Sequence, residues 1–308
     1  MIKYAKLRYS IHLTLITTVI YCFYSLFLIY KYIEMNKRVD VNIRDGRSAI
    51  KQGQIDILEA LYKYRFGSRH LIAKLLSINE NTLYKKLIVL VKHELIGSRL
   101  DNKSKIKGIP VAYYLTPKGL KFLQALEKHT HVTDKVIKAS YRDKVTSEAT
   151  ILHAFDVLSQ VLNLKNQYSQ LKAYLRRDMS RFSYFPKTPP DAFLSIAHDN
   201  VTRRYFFDYI PSSQERKLLF QRIYSYLDFF DNGGWNITGT EIPILLFVTE
   251  NATMERRIRR IAKGVINKIE INDEIIIYTT TKKALENPNR EVMIWSELND
   301  PDELVSLI

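Results

Sequence analysis

The chain has 308 residues, of which 46% are hydrophobic and 26% are charged, so it is long enough for two ordinary globular domains. Lysine and arginine outnumber aspartate and glutamate by 47 to 32. The resulting net charge of +15 favours a polyanionic partner, either nucleic acid or an acidic membrane surface, unless it reflects a coding bias toward lysine. The single cysteine, Cys22, excludes a disulfide framework and a cysteine-based zinc site, and it fits a reducing cytoplasm.

The first feature along the chain is an apolar segment, residues 9–30, that contains no formally charged residue and is flanked by basic residues. Its length suffices for a transmembrane helix, and no small-residue cleavage site follows it, which disfavours a secretory signal. Met35 opens a charged stretch, so residues 1–34 are interpreted either as a transmembrane helix or as an upstream extension of a protein that starts at Met35. In both cases we expect the rest of the chain in the bacterial cytoplasm, with or without anchoring to the inner membrane.

Apolar residues at helical spacing predict three helices between residues 54 and 95. The first covers about residues 54–64, the second follows the N-cap Ser68, and the third covers about residues 81–95. A short polar turn joins the second and third helices, so the pair is typical of a helix-turn-helix motif.

The outer face of the third helix carries side chains that can reach base edges and phosphates when such a helix enters the major groove. These candidate DNA-binding residues are Asn81, Thr82, Tyr84, Lys85 and Lys86. A solvated helix face is the alternative interpretation of the same residues.

Two strand-like stretches, residues 96–100 and 111–115, follow the third helix and enclose a basic hairpin tip with Lys103, Lys105 and Lys107. From residue 81 to residue 121, nine basic residues stand against two acidic ones, so nearly half of the net charge lies in this segment. That concentration argues against a general coding bias. It predicts that residues 50–127 form a winged helix-turn-helix domain that binds double-stranded DNA.

A linker or exposed helix, residues 128–144, leads to a second domain at residues 145–300, and residues 301–308 are expected to be a tail. In this second domain, helix patterns occur at 145–164, 215–230 and 254–269, and strand patterns occur at 190–196, 204–210, 243–248 and 274–279. The fully apolar run 243–248 is typical of a sheet that is buried on both faces. The order predicts an α/β domain with a central sheet, so the overall class is α+β.

Two aspartates mark a candidate catalytic site in the second domain, since Asp191 opens one strand and Asp208 lies within the next. Two carboxylates so placed can bind Mg²⁺ or Mn²⁺ and hold water or a scissile phosphate. This is the geometry of restriction-endonuclease-like nucleases, whose pattern has a lysine two residues after the second acid. Ile210 occupies that position here.

Lys217, a few residues further on, could supply the positive charge that is missing at Ile210. Glu148 or Asp156 on the preceding helix is a candidate for a further metal ligand. The candidate catalytic residues are therefore Asp191, Asp208 and Lys217, with Asp191 and Asp208 as the metal ligands. The alternative is that these are aspartates at strand ends, as in any α/β domain, and that the domain needs no cofactor.

The order of several short motifs resembles the replication-relaxation family of plasmid and integrative-element proteins over residues 50–300. The motifs are LTPKG at 115–119, ILHAFDV at 151–157, PDA at 190–192, FFD at 206–208 before a tyrosine-bearing helix, the apolar strand at 244–249 before an arginine-rich helix, YTTT at 278–281 and MIW at 293–295. None of these is specific alone, and their order and spacing carry the resemblance.

The resemblance implies a winged helix fused to a restriction-endonuclease-like domain. Some members of the family are relaxases that nick plasmid DNA at a transfer origin, and others are replication or transfer accessories. The family's acids map onto Asp191 and Asp208. Its second strand tends to carry an acidic cluster followed by Arg-Gly-Thr, whereas this chain continues with Ile210, Pro211 and Ser212, so one acid is missing and catalysis is in question.

The first of three functional hypotheses is a DNA-binding protein of a plasmid or integrative element that acts in replication or conjugative mobilisation. Its α/β domain would be either a relaxase-like nickase with a degenerate metal site or an inactivated remnant used for DNA or partner contact. The second is a non-enzymatic winged-helix regulator of transcription or copy number, with or without a membrane tether at residues 9–30. The third is a membrane-associated structural protein of a transfer apparatus. Homodimerisation and contacts with transfer-apparatus proteins are further expectations.

Overall fold

The computed structural model describes residues 50–99, 106, 108–129, 131–199, 201–269, 275–287 and 293–308. The apolar segment 9–30, with the rest of residues 1–34, lies outside the described residues, as do Lys103, Lys105 and Lys107 of the hairpin tip. Within the described parts of the chain, no helix is both long and apolar enough to cross a membrane.

The chain divides into two compact units, residues 1–51 with 124–131 and residues 52–123 with 132–308. In the described part of the first unit, Glu127–His129 form a 3-10 turn, and the rings of His129 and His131 meet edge to face at 5.5 Å. The second unit contains the main body of both predicted domains.

The N-terminal part of the second unit is a winged helix. Its elements are α1 (Gln52–Tyr64), β1 (Phe66–Gly67), α2 (Arg69–Leu76), α3 (Glu80–Lys92), β2 (Ile96–Arg99), β3 (Ala112–Leu115) and α4 (Pro117–Gln124). The strands form an antiparallel sheet in the order β1-β3-β2. The α2–turn–α3 pair followed by the β2–β3 hairpin is the winged helix-turn-helix arrangement, so this prediction is confirmed.

Short polar residues define the turn between α2 and α3. Ser68 caps the start of α2, where its hydroxyl accepts a hydrogen bond from the Leu71 N–H at 3.3 Å. Ser77 ends α2 in the left-handed region, with φ 53°. The Asn79 side chain then accepts from the Asn81 N–H at 2.8 Å and starts α3. These caps fix the direction in which α3 leaves the turn.

A close approach between the chain after α3 and the start of α4 explains the LTPKG motif. The Thr116 hydroxyl donates to the Leu95 carbonyl at 3.0 Å and accepts from the Gly119 N–H at 3.1 Å. A Cβ on Gly119 would lie 2.0 Å from the Leu95 oxygen, so glycine is required there. The motif therefore closes the winged helix.

The C-terminal part of the second unit is an α/β domain. Its elements are α5 (Asp134–Ser140), α6 (Glu148–Gln167), β4 (Lys172–Leu175), α7 (Arg176–Met179), β5 (Ala192–His198), β6 (Val201–Ile210), α8 (Arg216–Asp231), β7 (Ile244–Thr249), α9 (Ala252–Ile269), β8 (Ile277–Thr281), α10 (Lys282–Leu285), β9 (Trp295–Glu297) and β10 (Leu304–Val305). The segment that was expected to be a linker or a helix contains α5 and the 3-10 turn Tyr141–Val145.

These strands form one sheet in the order β10-β9-β8-β7-β6-β5-β4, in which β6, β7 and β8 are parallel and the outer pairs are antiparallel. Helix α6 packs on one face, and α8 and α9 pack on the other. Side chains of β6 alternate between the faces, since Phe207 joins the α6 side and Phe206 joins the α8–α9 side. The predicted α/β domain is confirmed.

The winged helix is packed directly against the α/β domain. Phe66 of β1 is fully buried and lies in one apolar cluster with Ala112 of β3 and with Ile151 and Phe155 of α6. In addition, the Arg177 guanidinium donates to the Tyr62 carbonyl at 2.8 Å. These contacts join the two domains into the single compact unit.

The prediction that residues 301–308 are a tail is wrong. β10 pairs antiparallel with β9, which places Leu304 opposite Ser296. Leu307 is 0% exposed, and its carbonyl accepts a hydrogen bond from the Tyr205 hydroxyl at 2.5 Å. A short polar stretch precedes β10, and the apolar Leu307 that follows β10 packs on the α6 face of the sheet.

We expect Leu307→Ala to lower the free energy of unfolding by about 2–5 kcal/mol, because it leaves a cavity beside Tyr205. The neighbouring variant Ile308→Ala is the control, since Ile308 is 44% exposed and should change stability by no more than about 0.5 kcal/mol. Urea denaturation measures both values. Equal effects of the two variants would contradict the assignment of the C-terminal segment to the core.

Candidate functional site

The first candidate site is the outer face of α3. Asn81, Thr82 and Lys85 are exposed, and Tyr84 is 46% exposed. The opposite face is buried through Leu83, Leu87 and Leu90. Lys86 departs from the prediction, because it is half-buried and its Nζ lies 3.5 Å from the Gly53 carbonyl of α1. The structure therefore presents four of the five predicted α3 residues on one accessible surface.

Ile88 and Arg69 extend this surface and were missed by the sequence analysis. Ile88 is 50% exposed and follows Tyr84 by four residues, so both lie on the same face of α3. The Arg69 guanidinium lies 5.7 Å from the Tyr84 ring centroid and also pairs with Glu80 at 3.0 Å. The helical spacing of an apolar residue outside the buried stripe was the available signal for Ile88.

Two basic residues of the predicted DNA-binding segment have partners within the chain. Arg99 donates to the Thr146 carbonyl ahead of α6, so it is directed toward the α/β domain. Lys118 pairs with Glu94 at 3.1 Å on the surface, where both side chains are exposed. The lysines of the hairpin tip lie outside the described residues.

The second candidate site contains the two predicted aspartates, which the sheet brings together. The β5–β6 register pairs Ala192 with Phe207, and this places Asp191, immediately before β5, beside Asp208. The Asp191 N–H donates to Oδ1 of Asp208 at 2.8 Å, and the Tyr209 N–H donates to Oδ2 of Asp191 at 3.2 Å. Both carboxylates are buried, so each needs charge compensation from its neighbours.

Asp208 is 1% exposed and is compensated by α8. Arg222 binds it through Nε to Oδ2 at 2.7 Å and through Nη2 to Oδ1 at 2.5 Å. The Tyr226 hydroxyl, one turn further along α8, donates to Oδ2 at 2.8 Å. The two-point arginine–carboxylate contact is a strong and geometrically defined one.

Asp191 is compensated from the other side of the sheet. His153 of α6 donates to Oδ2 at 2.9 Å, and Arg176 of α7 donates to Oδ1 at 2.8 Å. Nη2 of Arg222 also lies 4.0 Å from Oδ1 of Asp191. The same guanidinium therefore faces both carboxylates, and the pair joins α6, α7 and α8 to the sheet.

Protonation in this network follows from burial and from the paired charges. Burial raises the pKa of Asp191, but the His153 hydrogen bond and the charges of His153, Arg176 and Arg222 lower it by more. Burial lowers the pKa of His153, but the hydrogen bond and charge of Asp191 raise it by more. Burial and the Asp208 charge raise the pKa of Tyr226 well above its ordinary value, so its hydroxyl stays protonated.

Lys217 is not part of this network in the structure. It is exposed in the first turn of α8, whereas Arg222, five residues further on, supplies the positive charge at Asp208. Asp156, a candidate further ligand, accepts a hydrogen bond from Lys282 at 2.8 Å. From α6, His153 rather than Glu148 is the side chain that binds Asp191.

A signal for Arg222 was present in the sequence. The buried stripe of α8 contains Leu219, Ile223 and Tyr226, and Arg222 stands at helical spacing among them. A charged residue on an otherwise apolar stripe requires a buried partner of opposite charge. Asp208 is that partner, and the same reasoning would have replaced Lys217 by Arg222.

A hard cation does not fit this arrangement. All four hydrogen-bonding positions of the Asp208 carboxylate are used by the Asp191 N–H, by two donors of Arg222 and by Tyr226. Both oxygens of Asp191 also accept hydrogen bonds. Among the described residues, no group of three or more His, Cys, Asp or Glu side chains is arranged to hold a metal ion. Metal binding by Asp191 and Asp208 therefore stays a prediction that these contacts do not support.

We expect Arg222→Gln to lower the free energy of unfolding by about 3–5 kcal/mol, because it leaves the buried Asp208 carboxylate without its counter-charge. Arg216→Gln, in the exposed first turn of the same helix, is the control and should have little effect. Thermal and urea unfolding provide the measurement. A loss at Arg222 no larger than the loss at Arg216 would show that the ion pair does not hold α8 to the sheet.

The raised pKa of His153 predicts a pH-dependent contribution to stability. A group whose pKa is raised on folding stabilises fully below its unfolded value, about 6.5 for histidine, and this contribution is lost as the pH rises through the folded value. The stability difference between the wild type and His153→Gln should therefore shrink as the pH is raised from below 6 to above 8. His198→Gln, at an exposed histidine, is the control. A difference that grows with pH would refute the assignment.

Comparison with known proteins gives no family for this chain, because no protein-family model and no curated protein matches it. Among solved structures, it is similar to a mutant of ZitR from Lactococcus lactis, with 16% identity and a TM-score of 0.21, over 46% of this chain and 92% of that one. It is also similar to restriction endonuclease FokI, with 10% identity and a TM-score of 0.30, over 82% of this chain and 49% of that one. The similarity to FokI bound to DNA has 11% identity and a TM-score of 0.28, and it covers 75% of this chain and 43% of that one.

The chain thus spans about half of the length of FokI. Similarities this distant carry no functional argument, and the assignment of a winged helix followed by an α/β domain rests on the order of the helices and on the strand pairing.

Proposed function

We propose that this protein binds duplex DNA through α3 and the hairpin tip between β2 and β3, and that its α/β domain is a non-catalytic support. The observation that carries the proposal is the accessible outer face of α3, which stands on a helix whose other face is fully buried. Helices in this position of a helix-turn-helix enter the major groove and read base edges with their N-terminal residues.

The residue types on α3 suit this role. Asn81 and Lys85 lie in the first half of the helix and supply a hydrogen-bonding amide and a cation for bases and phosphates. Tyr84 and the half-exposed Ile88 supply apolar surface for thymine methyl groups. Arg69, beside Tyr84, adds a cation at the same surface.

The buried network supports a non-catalytic α/β domain. Asp191 and Asp208 use their carboxylates to bind Arg176, His153 and Arg222. These contacts hold helices on both faces of the sheet and leave Asp208 without a free coordination position. We infer a regulatory protein, of transcription or of copy number, that recognises a DNA site without cleaving it.

A finer proposal is that the DNA belongs to a plasmid or an integrative element, where the protein acts in replication or conjugative mobilisation. It rests on the order of the LTPKG, ILHAFDV, PDA, FFD, YTTT and MIW motifs. Its test is immunoprecipitation of cross-linked DNA from cells: enrichment at a replication or transfer origin supports the proposal, and enrichment at chromosomal promoters alone overturns it.

We expect Lys85→Ala to weaken binding to a selected DNA site and to reduce the slope of log affinity against log salt by about 1, because one phosphate contact is lost. Lys172→Ala, which removes an exposed lysine from β4, is the matched control and should leave both quantities unchanged. Fluorescence anisotropy over a salt series gives both numbers. Equal behaviour of the two variants would exclude α3 as the DNA-binding element.

A second candidate function is DNA nicking, and the observation that favours it is the pairing of Asp191 with Asp208 on adjacent strands. The test is incubation of the full chain with supercoiled plasmid and Mg²⁺ or Mn²⁺. The network predicts no nicked product. Nicking that Asp191→Ala abolishes would establish the enzyme and overturn the non-catalytic proposal.

A further inference from the structure

A cavity of about 360 Å³ lies where the winged helix meets the α/β domain. Lys63 to Phe66 of the α1–β1 junction form one side, and residues of α5, α6 and α7 form the others. Its walls include Phe66, Ala139, Ala154 and Leu175, so much of the lining is apolar. This volume and lining are in the range of small-molecule sites.

The charged part of the lining has a positive surplus. Arg65 and Arg177 bind opposite oxygens of one carboxylate, that of Asp143, at 2.8 and 3.4 Å. Asp143 is 2% exposed, so two guanidinium groups share a single buried counter-charge. Lys63 and Arg176 also line the cavity, but each already has a carboxylate partner, Asp178 at 4.0 Å and Asp191 at 2.8 Å respectively. An anionic group would compensate the remaining charge of the arginine pair.

We propose that this cavity is a binding site for a small organic carboxylate with an apolar body. The carboxylate binds beside the Arg65–Arg177 pair, and the apolar body contacts Phe66 and Leu175. The ligand touches the winged helix and the α/β domain together, so it binds only when they are packed against each other and stabilises that arrangement. The site does not depend on the DNA-binding proposal.

The test uses octanoate and hydrocinnamate as probes, with octanol as the uncharged counterpart of octanoate. Calorimetric titration of the full chain should show binding of at least one carboxylate, about tenfold or more tighter than octanol, together with a raised melting temperature. Failure of both carboxylates to bind, or equal affinity for octanoate and octanol, overturns the proposal.

Two variants place the probe in this cavity. Ala139→Trp fills it from the exposed side of α5 and should abolish binding, whereas Ala252→Trp, at an exposed alanine of α9, should not. Full carboxylate affinity in Ala139→Trp would place the probe elsewhere and refute the site.

Discussion

The ion pair between Arg222 and Asp208 is the interaction on which the α/β domain depends. Asp208 is almost completely buried beside a second buried carboxylate, and two such neighbours are both ionised only if nearby cations compensate them. Arg222 does this for Asp208 with two hydrogen bonds and also faces Asp191. Because Arg222 stands on the buried stripe of α8, the pair fixes that helix against the sheet.

The same constraint reaches the winged helix through α6 and α7. His153 and Arg176 bind Asp191, and α6 carries the Ile151 and Phe155 side chains that cover Phe66. Arg177, next to Arg176, binds the Tyr62 carbonyl at the end of α1. The residues that compensate the aspartates are thus neighbours of the residues that hold the winged helix. We therefore expect substitutions in the aspartate network to alter the packing of the winged helix against the α/β domain.

The winged helix was predictable because its signals are local. Ser68, Ser77 and Asn79 cap or terminate helices whose apolar spacing is regular, and Gly119 marks a close backbone approach. The central strands of the α/β domain were predictable for a related reason, since a strand buried on both faces, such as β7, is a continuous apolar run.

The missed features depend on partners far away in sequence. β10 and Leu307 belong to the core because β10 pairs with β9 and the Leu307 carbonyl accepts a hydrogen bond from Tyr205. Arg222 had a local signal in its place on the buried stripe of α8, whereas the role of His153 depends on Asp191, 38 residues away, and no local pattern connects the two. Lys217 was preferred because it is close to Asp208 in sequence, but the direction of its side chain is set by the start of α8, where it is exposed.

Protein cations, rather than a metal ion, compensate Asp191 and Asp208. The direct measurement is a calorimetric titration of the full chain with Mn²⁺, made in parallel on the wild type and on Asp191→Asn. The network of Arg222, Arg176, His153 and Tyr226 predicts no stoichiometric binding to the wild type and no difference between the two proteins. One equivalent of Mn²⁺ bound by the wild type and lost in Asp191→Asn would show instead that a metal ion compensates the two carboxylates.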